Sequence, residues 1–186
     1  MNKPAIRFEQ LLRRLDELFR LALRVTRSPY REIFLSLIVV KLHDQWNFRS
    51  RQIILFSYKK SEKAMLEYLR KNWKTPRGVM DNSWEPYWHI PRESIRAGTI
   101  LRIGNLSKVQ DSFGAVMCVD ELRWTRNAIV HNNPKAFGKY RETILNQYKL
   151  KNIPPHEIIT YRNPKTGNTI YEDWSHELLL ALSAAI

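Results

Sequence analysis

The chain is poor in cysteine, in glycine and in long apolar runs, and each shortage excludes a class of protein. Its 186 residues include one cysteine, Cys118, so neither an intramolecular disulfide nor a cysteine-based metal site is possible. Six glycines and nine prolines exclude a low-complexity chain. The longest apolar run, residues 33–40, is interrupted by Ser36 and is too short to cross a bilayer. The charged first stretch lacks a signal-peptide core, so we expect a cytoplasmic protein with no membrane partner.

Acidic residues are scarce relative to basic ones. Lysine and arginine number 31 against 18 aspartates and glutamates, which gives a net charge of +13. Such an excess bears on the partners of a protein rather than on its fold. Nucleic acid is the usual polyanionic partner of a basic domain, because neutralised phosphates release counterions. A basic surface that only keeps the protein in solution is the alternative.

Apolar residues recur at helical spacing along most of the chain. We predict helices over 4–27, 29–58, 61–73, 91–103, 106–113, 120–131 and 134–148. Ser28 is the expected N-cap of the second helix and Asp120 that of the sixth. Residues 74–90 read as a loop. The predicted fold is all-α, an up-and-down helical bundle.

The last part of the chain departs from this pattern. The segment "NIPPH" breaks the preceding helix, and the turn "NPKTGN" separates two short alternating segments. We therefore predict a small C-terminal β-hairpin with strands at 158–162 and 169–172, followed by a final helix over 174–186. The whole chain, 1–186, is predicted to be a single domain, with residues 1–150 as the bundle core and 151–186 as the hairpin and last helix.

An unusual polar stripe lies in the sixth predicted helix. Arg123, Asn127 and His131 are spaced four apart and should share one face, while Arg126 can wrap back toward them or reach another chain. Asparagine is a poor interior helix residue, so a role beyond helix formation is indicated for Asn127. The alternative, purely structural interpretation is that His131 interacts with the helix dipole at the C-terminal end of the helix.

The segment "RNAIVHNN", residues 126–133, resembles the signature of the HEPN superfamily, in which an arginine, often followed by asparagine, precedes a histidine. Residues 42–57 and 85–114 are similar to bacterial HEPN-like proteins of the RiboL-PSP and MAE type, so the resemblance extends over about 29–148. It implies a bundle that dimerises with the motif helices facing each other. Many members cut RNA without a metal, as toxins or antiviral effectors, and others only bind nucleic acid or protein.

The resemblance implies a set of site residues and partners. The catalytic residues would be Arg126, Asn127 and His131; the substrate-binding residues would be Arg123, Asn132, Asn133 and Lys135; and Asp44 and Glu121 are possible supporting residues. RNA is the expected substrate, a homodimer is the expected assembly, and an antitoxin or another protein is a candidate partner. Asn133 stands where HEPN toxins paired with a nucleotidyltransferase antitoxin carry tyrosine, which argues against that particular pairing.

These residue types suit metal-independent RNA cleavage. Histidine can take the proton of the ribose 2′-hydroxyl or protonate the leaving oxygen. A guanidinium can hold two oxygens of the phosphorane as negative charge builds. One motif supplies a single histidine, whereas a symmetric dimer would supply two. The product would carry a 2′,3′-cyclic phosphate.

Other segments are weaker candidates for function. Asp44, which follows His43 in the second predicted helix, could pair with Arg49 or orient Arg126 as a supporting residue, although a structural ion pair at the edge of the core is the more ordinary interpretation. The aromatic segment "WEPYWH", residues 84–89, could stack unpaired bases or could simply anchor a loop by buried tryptophans. No His-x-x-x-His, Asp-x-Asp or glycine-rich phosphate loop occurs, so we expect neither a metal nor a cofactor.

Two further hypotheses remain open from the sequence. In the first, the protein acts as a non-catalytic nucleic-acid-binding module, and its charge drives the association. Alternatively, the apolar final helix, which ends "LLLALSAAI", would dock on a partner protein.

Overall fold

The computed structural model describes residues 3–25, 29–73 and 84–186, and within these residues the protein is all-α, as predicted. Its helices are α1 Lys3–Arg24, α2 Pro29–Tyr58, α3 Glu62–Asn72, α4 Pro91–Leu101, α5 Leu106–Gly114, α6 Cys118–His131, α7 Pro134–Tyr140 and α8 Ile170–Ala184. The predicted N-cap Ser28 and most of the predicted loop 74–90 lie outside the described residues. None of the described helices combines the length and apolar character that a membrane span requires.

The long helix α2 is the centre of the bundle. It contacts α1, α3, α4, α6 and α8, and its buried side chains include Leu35, Ile38, Leu42 and Trp46, all without exposed surface. Such complete burial is the main source of stability for a helix that is contacted on several sides. His43 lies among these apolar residues at the middle of α2 and is itself buried, so the centre of the bundle holds a polar side chain next to α6.

The predicted β-hairpin is wrong. Residues 157–160 form a turn of 3₁₀-helix instead of a strand, and a single antiparallel bridge joins Arg162 to Thr169. The predicted turn between them does form, with the Asn163 side chain accepting a hydrogen bond from the Lys165 amide. Ile158 and Ile159 are both fully buried, which a strand with one solvent-facing side does not allow for consecutive residues.

The last helix begins earlier than predicted. Thr169 caps α8, and its hydroxyl accepts from the Glu172 amide while the Glu172 carboxylate accepts from the Thr169 amide. This reciprocal capping box satisfies two amides of the first turn, so residues predicted as a strand are helical. The apolar side of α8 packs on α1, α2, α5 and α6 of the same chain, while Leu180 of this helix is 55% exposed.

The connection from α6 to the C-terminal part is also helical. The helix predicted over 134–148 runs as α7 and continues as a π-helical turn, Arg141–Leu145, in which the Asn146 amide donates to the Arg141 carbonyl at 3.0 Å. The wider turn brings residues 144–148 against α6, where two of them bond its buried carboxylate.

Candidate functional site

Helix α6 begins two residues before the predicted N-cap. Asp120 lies in the first turn, where its carboxylate pairs with Arg123 at 2.9 Å, so the prediction that it caps the helix is wrong. The Glu177 carboxylate of α8 performs that function, because it accepts hydrogen bonds from the backbone amides of Met117 and Cys118, the latter at 3.2 Å. A carboxylate at a helix N-terminus satisfies free amides and complements the helix dipole. This contact fixes α6 on α8.

The other end of α6 is closed by the two asparagines of the motif. Asn132 adopts a left-handed backbone conformation with φ of 42°, which ends the helix, and Asn133 caps α7 by accepting a hydrogen bond from the Ala136 amide at 2.9 Å. Both are exposed, as is Lys135 in the first turn of α7. The structure therefore gives these asparagines a role in the helix boundary, separate from the substrate-binding role predicted for them.

The three motif residues meet at the end of α6. The Arg126 side chain folds back along the helix, so its Nη1 donates to Asn127 Oδ1 at 3.2 Å and lies 3.5 Å from His131 Nε2. For the second contact to be a hydrogen bond, the imidazole must carry no proton on Nε2. His131 is exposed, and Arg126 and Asn127 are half-buried. Of the two orientations predicted for Arg126, the structure has the one that returns to the histidine.

Arg123 belongs to the same surface but makes different contacts. Its guanidinium pairs with Asp120 and lies over the Trp124 ring, with Cζ 4.7 Å from the ring centroid. The structure thus joins Asn127 and His131 through Arg126, while Arg123, predicted to continue their stripe, is held one turn earlier in the helix.

Two histidines from other parts of the chain approach this surface. The rings of His43, on α2, and His89, just before α4, lie 4.9 Å apart between centroids. The Trp46 indole donates to the His89 carbonyl at 3.1 Å and fixes the position of that residue. Asp44 Oδ1 lies 3.3 Å from His43 Nδ1, so this carboxylate orients a histidine rather than Arg126. Arg49, the other predicted partner of Asp44, bonds Gln45 and Gln52.

The electrostatics connect both histidines with the arginines of α6. Burial lowers the pKa of His43, and the positive charges of Arg126 and Arg123 lower it further, against the effect of Asp44. Burial, His43 and the same two arginines lower the pKa of His89 to about 4. Both imidazoles are therefore neutral at neutral pH. We name His43, His89, Arg123 and Arg126 the cation–imidazole cluster.

The cation–imidazole cluster contains buried polar atoms that have no hydrogen-bond partner among the residues that the structure describes. They are Nε2 of His43, Nε of Arg123 and Nε of Arg126, while His43 as a whole is 8% exposed. Buried polar atoms are nearly always hydrogen-bonded, and a buried donor without an acceptor costs on the order of 1–3 kcal/mol. An anion with several acceptor oxygens suits two such arginine donors.

Glu121, predicted to support the site, faces the interior instead. Its carboxylate accepts hydrogen bonds from the Gln147 amide, the Tyr148 hydroxyl at 2.9 Å and the Trp174 indole at 2.9 Å. Burial raises the pKa of Glu121, and the three hydrogen bonds oppose that shift. This group, which we name the carboxylate hub, ties α6 to α8 and to the residues that follow the π-helical turn.

Sequence reasoning found the motif but missed the histidine pair. His43 and His89 belong to separate segments of the sequence. Nothing local indicates that the rings of residues 46 positions apart will come into contact. Within the described residues, no three histidine, cysteine, aspartate or glutamate side chains come together as ligands for a metal ion.

Comparison with known proteins does not assign the chain to a family. No protein-family model matches the chain, and neither a curated protein nor a solved structure is significantly similar to it. The functional argument therefore depends on the geometry of α6 and its neighbours.

Proposed function

We propose that the protein is a metal-independent endoribonuclease of the HEPN kind, with Arg126, Asn127 and His131 as its catalytic residues. The observation that carries this proposal is the contact of one guanidinium with both Asn127 Oδ1 and His131 Nε2 at the exposed end of α6. A general base and a cation for the phosphate are thereby adjacent, which is the pairing that cleavage by the 2′-hydroxyl requires.

The proposed reaction needs no group from outside the protein and RNA. His131 takes the proton of a ribose 2′-hydroxyl, and the resulting oxygen attacks the adjacent phosphorus. The guanidinium of Arg126 stabilises the additional negative charge on the phosphorane oxygens. The bond to the 5′-oxygen then breaks, and that oxygen receives a proton from a general acid. The products are a 2′,3′-cyclic phosphate and a 5′-hydroxyl.

Asn127 and the surrounding basic residues have supporting roles in this proposal. The Asn127 amide holds the guanidinium beside the imidazole and has further capacity to bond a phosphate oxygen. Arg123 and Lys135 attract neighbouring phosphates, in keeping with the net charge of +13. Asn132 and Asn133 set the path of the chain past His131.

A homodimer is part of the proposal because one motif carries one exposed histidine. Two facing copies of α6 would supply a second His131 as the general acid. Adding an excess of His131→Ala subunits to the wild-type protein tests this, since each mixed dimer lacks the second imidazole. Loss of the wild-type cleavage after subunit exchange supports a shared site, and unchanged cleavage by a protein that is monomeric in solution excludes it.

The cleavage chemistry is tested with a short RNA in the presence of EDTA. We expect the purified protein to cut it and leave 2′,3′-cyclic phosphate ends, detected by mass spectrometry. The same RNA with 2′-deoxyribose at the cleavage position should remain intact, because the nucleophile is missing. Uncut RNA at high protein concentration, combined with steeply salt-dependent binding, would instead indicate a non-catalytic nucleic-acid-binding module.

A role as a toxin or antiviral effector follows from the same proposal. Expression of the wild-type chain should then arrest bacterial growth, whereas expression of His131→Ala at equal abundance should not. Equal growth in both cases would contradict the toxin role. It would not bear on RNA cleavage, which the experiment with EDTA tests separately.

A further inference from the structure

A cleft of about 490 Å³ lies beside the cation–imidazole cluster, formed by residues 84–89 together with Asn47 of α2. Its aromatic residues differ sharply in burial. Trp88 is 2% exposed and Trp84 packs on Trp73, with ring centroids 5.0 Å apart, whereas Tyr87 is 64% exposed. The tryptophans are structural anchors, and the tyrosine is the aromatic side chain of this segment that remains available to a ligand.

The backbone around Tyr87 is held firmly although its ring is exposed. The Tyr87 amide donates to the Glu93 carboxylate at 2.7 Å, and its carbonyl accepts from the Ile90 amide at 2.8 Å. A ring presented by a fixed backbone loses little conformational freedom when a flat ligand stacks on it. This distinguishes Tyr87 from an exposed tyrosine on a freely moving segment.

The carboxylate that lines the cleft is engaged by neighbouring side chains. It belongs to Glu85, which is paired with Arg51 through two hydrogen bonds of 3.1 and 3.2 Å and accepts from the Trp88 indole at 3.0 Å, while Arg51 also pairs with Glu62 at 2.8 Å. The half-buried Asn47 contributes an amide with donors and an acceptor. A flat, uncharged group with polar edges, such as a nucleobase, suits these walls.

The cleft adjoins the pair of histidine rings. His89 lines it, and the His89 ring lies 5.9 Å from the Tyr87 ring on one side and 4.9 Å from the His43 ring on the other. Burial is the main cause of the lowered pKa of His89, and His43 and the positive charges of Arg123 and Arg126 lower it further. A flat group on Tyr87 therefore has cationic side chains in its neighbourhood, as base and phosphate alternate in a nucleic acid strand.

We infer that this cleft binds an unpaired nucleobase of single-stranded RNA, stacked on Tyr87 with its phosphate directed to Arg123 and Arg126. The identity of the ligand rests on the proposed ribonuclease function, whereas the binding itself can be measured without cleavage. Stacking of a base on an aromatic side chain contributes about 1–3 kcal/mol and accepts any base, because every base has a flat face. Bases within a duplex are already stacked and should not enter the cleft.

The experiment uses a short fluorescent single-stranded RNA with 2′-O-methyl groups, which cannot be cut because the 2′-oxygen carries no proton. We expect Tyr87→Ala to weaken its binding about 10-fold, in line with about 1.4 kcal/mol of lost stacking, and Tyr87→Phe to retain wild-type affinity. Tyr30→Ala is the matched control: Tyr30 is 66% exposed and lies about 20 Å from His43 along α2. It should leave affinity unchanged.

Three results would overturn the inference: wild-type affinity in Tyr87→Ala, an equal loss in Tyr30→Ala, or equal competition by double-stranded RNA of the same sequence. These outcomes are separate from those for the proposed function. If the wild-type protein cuts no RNA but Tyr87→Ala still loses affinity, the nuclease proposal fails and the nucleobase cleft stands. If the protein cuts RNA and Tyr87→Ala binds normally, the cleft fails and the nuclease proposal stands.

Discussion

The carboxylate hub and the cation–imidazole cluster lie on different sides of α6. They differ in whether their buried polar atoms have hydrogen-bond partners. In the hub, Glu121 is 7% exposed and accepts hydrogen bonds from three surrounding side chains. In the cluster, the Nε atoms of Arg123 and Arg126 and the Nε2 of His43 are buried without a partner within 3–25, 29–73 and 84–186.

The difference separates a structural polar group from a candidate ligand site. A buried carboxylate with a complete set of donors stabilises one arrangement of helices, since any rearrangement leaves these donors unsatisfied. The unpaired buried atoms of two arginines and of His43 destabilise the fold unless a partner satisfies them. We therefore expect substitutions in the hub to change the free energy of unfolding and substitutions in the cluster to change RNA cleavage and binding.

Among substitutions in the hub and the cluster, the largest effect is expected at Arg126. Arg126→Ala should lower the single-turnover rate of RNA cleavage about 10²–10³-fold, because the developing charge on the phosphorane loses its main donor. Arg126→Lys should also be slow, since an ammonium cannot reproduce the two parallel hydrogen bonds of a guanidinium. Urea unfolding should show both variants within about 1 kcal/mol of wild type. Wild-type cleavage rates in both variants would remove Arg126 from the proposed catalytic set.

The next largest effect is expected at Glu121 and concerns stability. Glu121→Ala should lower the free energy of unfolding by about 3 kcal/mol, because the Trp174 and Tyr148 donors become buried without an acceptor. Glu121→Gln retains an acceptor oxygen of the same shape and should lose about 1 kcal/mol. Cleavage per folded molecule should stay within a few-fold of wild type in both. Loss of cleavage in a fully folded Glu121→Gln protein would mean that the hub belongs to the catalytic site.

A smaller effect is expected from pH. The pKa of His89 is about 4 in the folded protein and that of an unperturbed histidine is about 6.5, so between these values the unfolded chain binds more protons. The free energy of unfolding should therefore increase as pH rises from about 4 to 6.5, and fall as pH is lowered. For this partly exposed ring we expect roughly 1–2 kcal/mol across the window.

His89→Gln provides the matched variant for this pH dependence. Its unfolding free energy, measured in urea at several pH values, should vary less across the window than that of the wild type, because the titrating ring is gone. An equally steep slope in His89→Gln would show that His89 is not the group responsible.

The smallest effect is expected at Asn132. Its φ of 42° favours glycine, so Asn132→Gly should leave stability unchanged or raise it slightly, while Asn132→Ala should lower it by about 1 kcal/mol. Cleavage rates should be equal in all three proteins if Asn132 acts only in the helix boundary. Slower RNA cleavage by the stable Asn132→Gly variant would instead support the substrate-binding role that the sequence predicts for Asn132.

The helices could be predicted from sequence because their signals are local. Helix α2 is bounded by Pro29 and Tyr58 as predicted, since a proline suits the first turn and neither glycine nor a second proline interrupts the residues up to Tyr58. The end of α6 at His131 was equally clear from the Asn-Asn-Pro that follows. The predicted hairpin failed because "TIYE" was interpreted as a strand, although a threonine three residues before a glutamate is also the signature of the capping box that begins α8.

The candidate site was predictable only within one helix. The sequence indicated Arg126, Asn127 and His131 as a unit, and their contacts in the structure join them. It could not indicate that His43 and His89 would stack beside Arg126, because that requires the packing of α2, α4 and α6. For the same reason Glu121, only five residues from Arg126, was assigned to the site although it faces α8.

The most direct measurement is the single-turnover rate of RNA cleavage in EDTA for wild type and His131→Ala, compared at equal folded fraction. His176→Ala serves as the control, because His176 is an exposed histidine on α8. We predict a rate about 10²–10⁴-fold lower for His131→Ala and unchanged for His176→Ala, as loss of a general base entails. Equal rates for wild type and His131→Ala, or no cleavage by the wild-type protein, would contradict the proposed ribonuclease site at the end of α6.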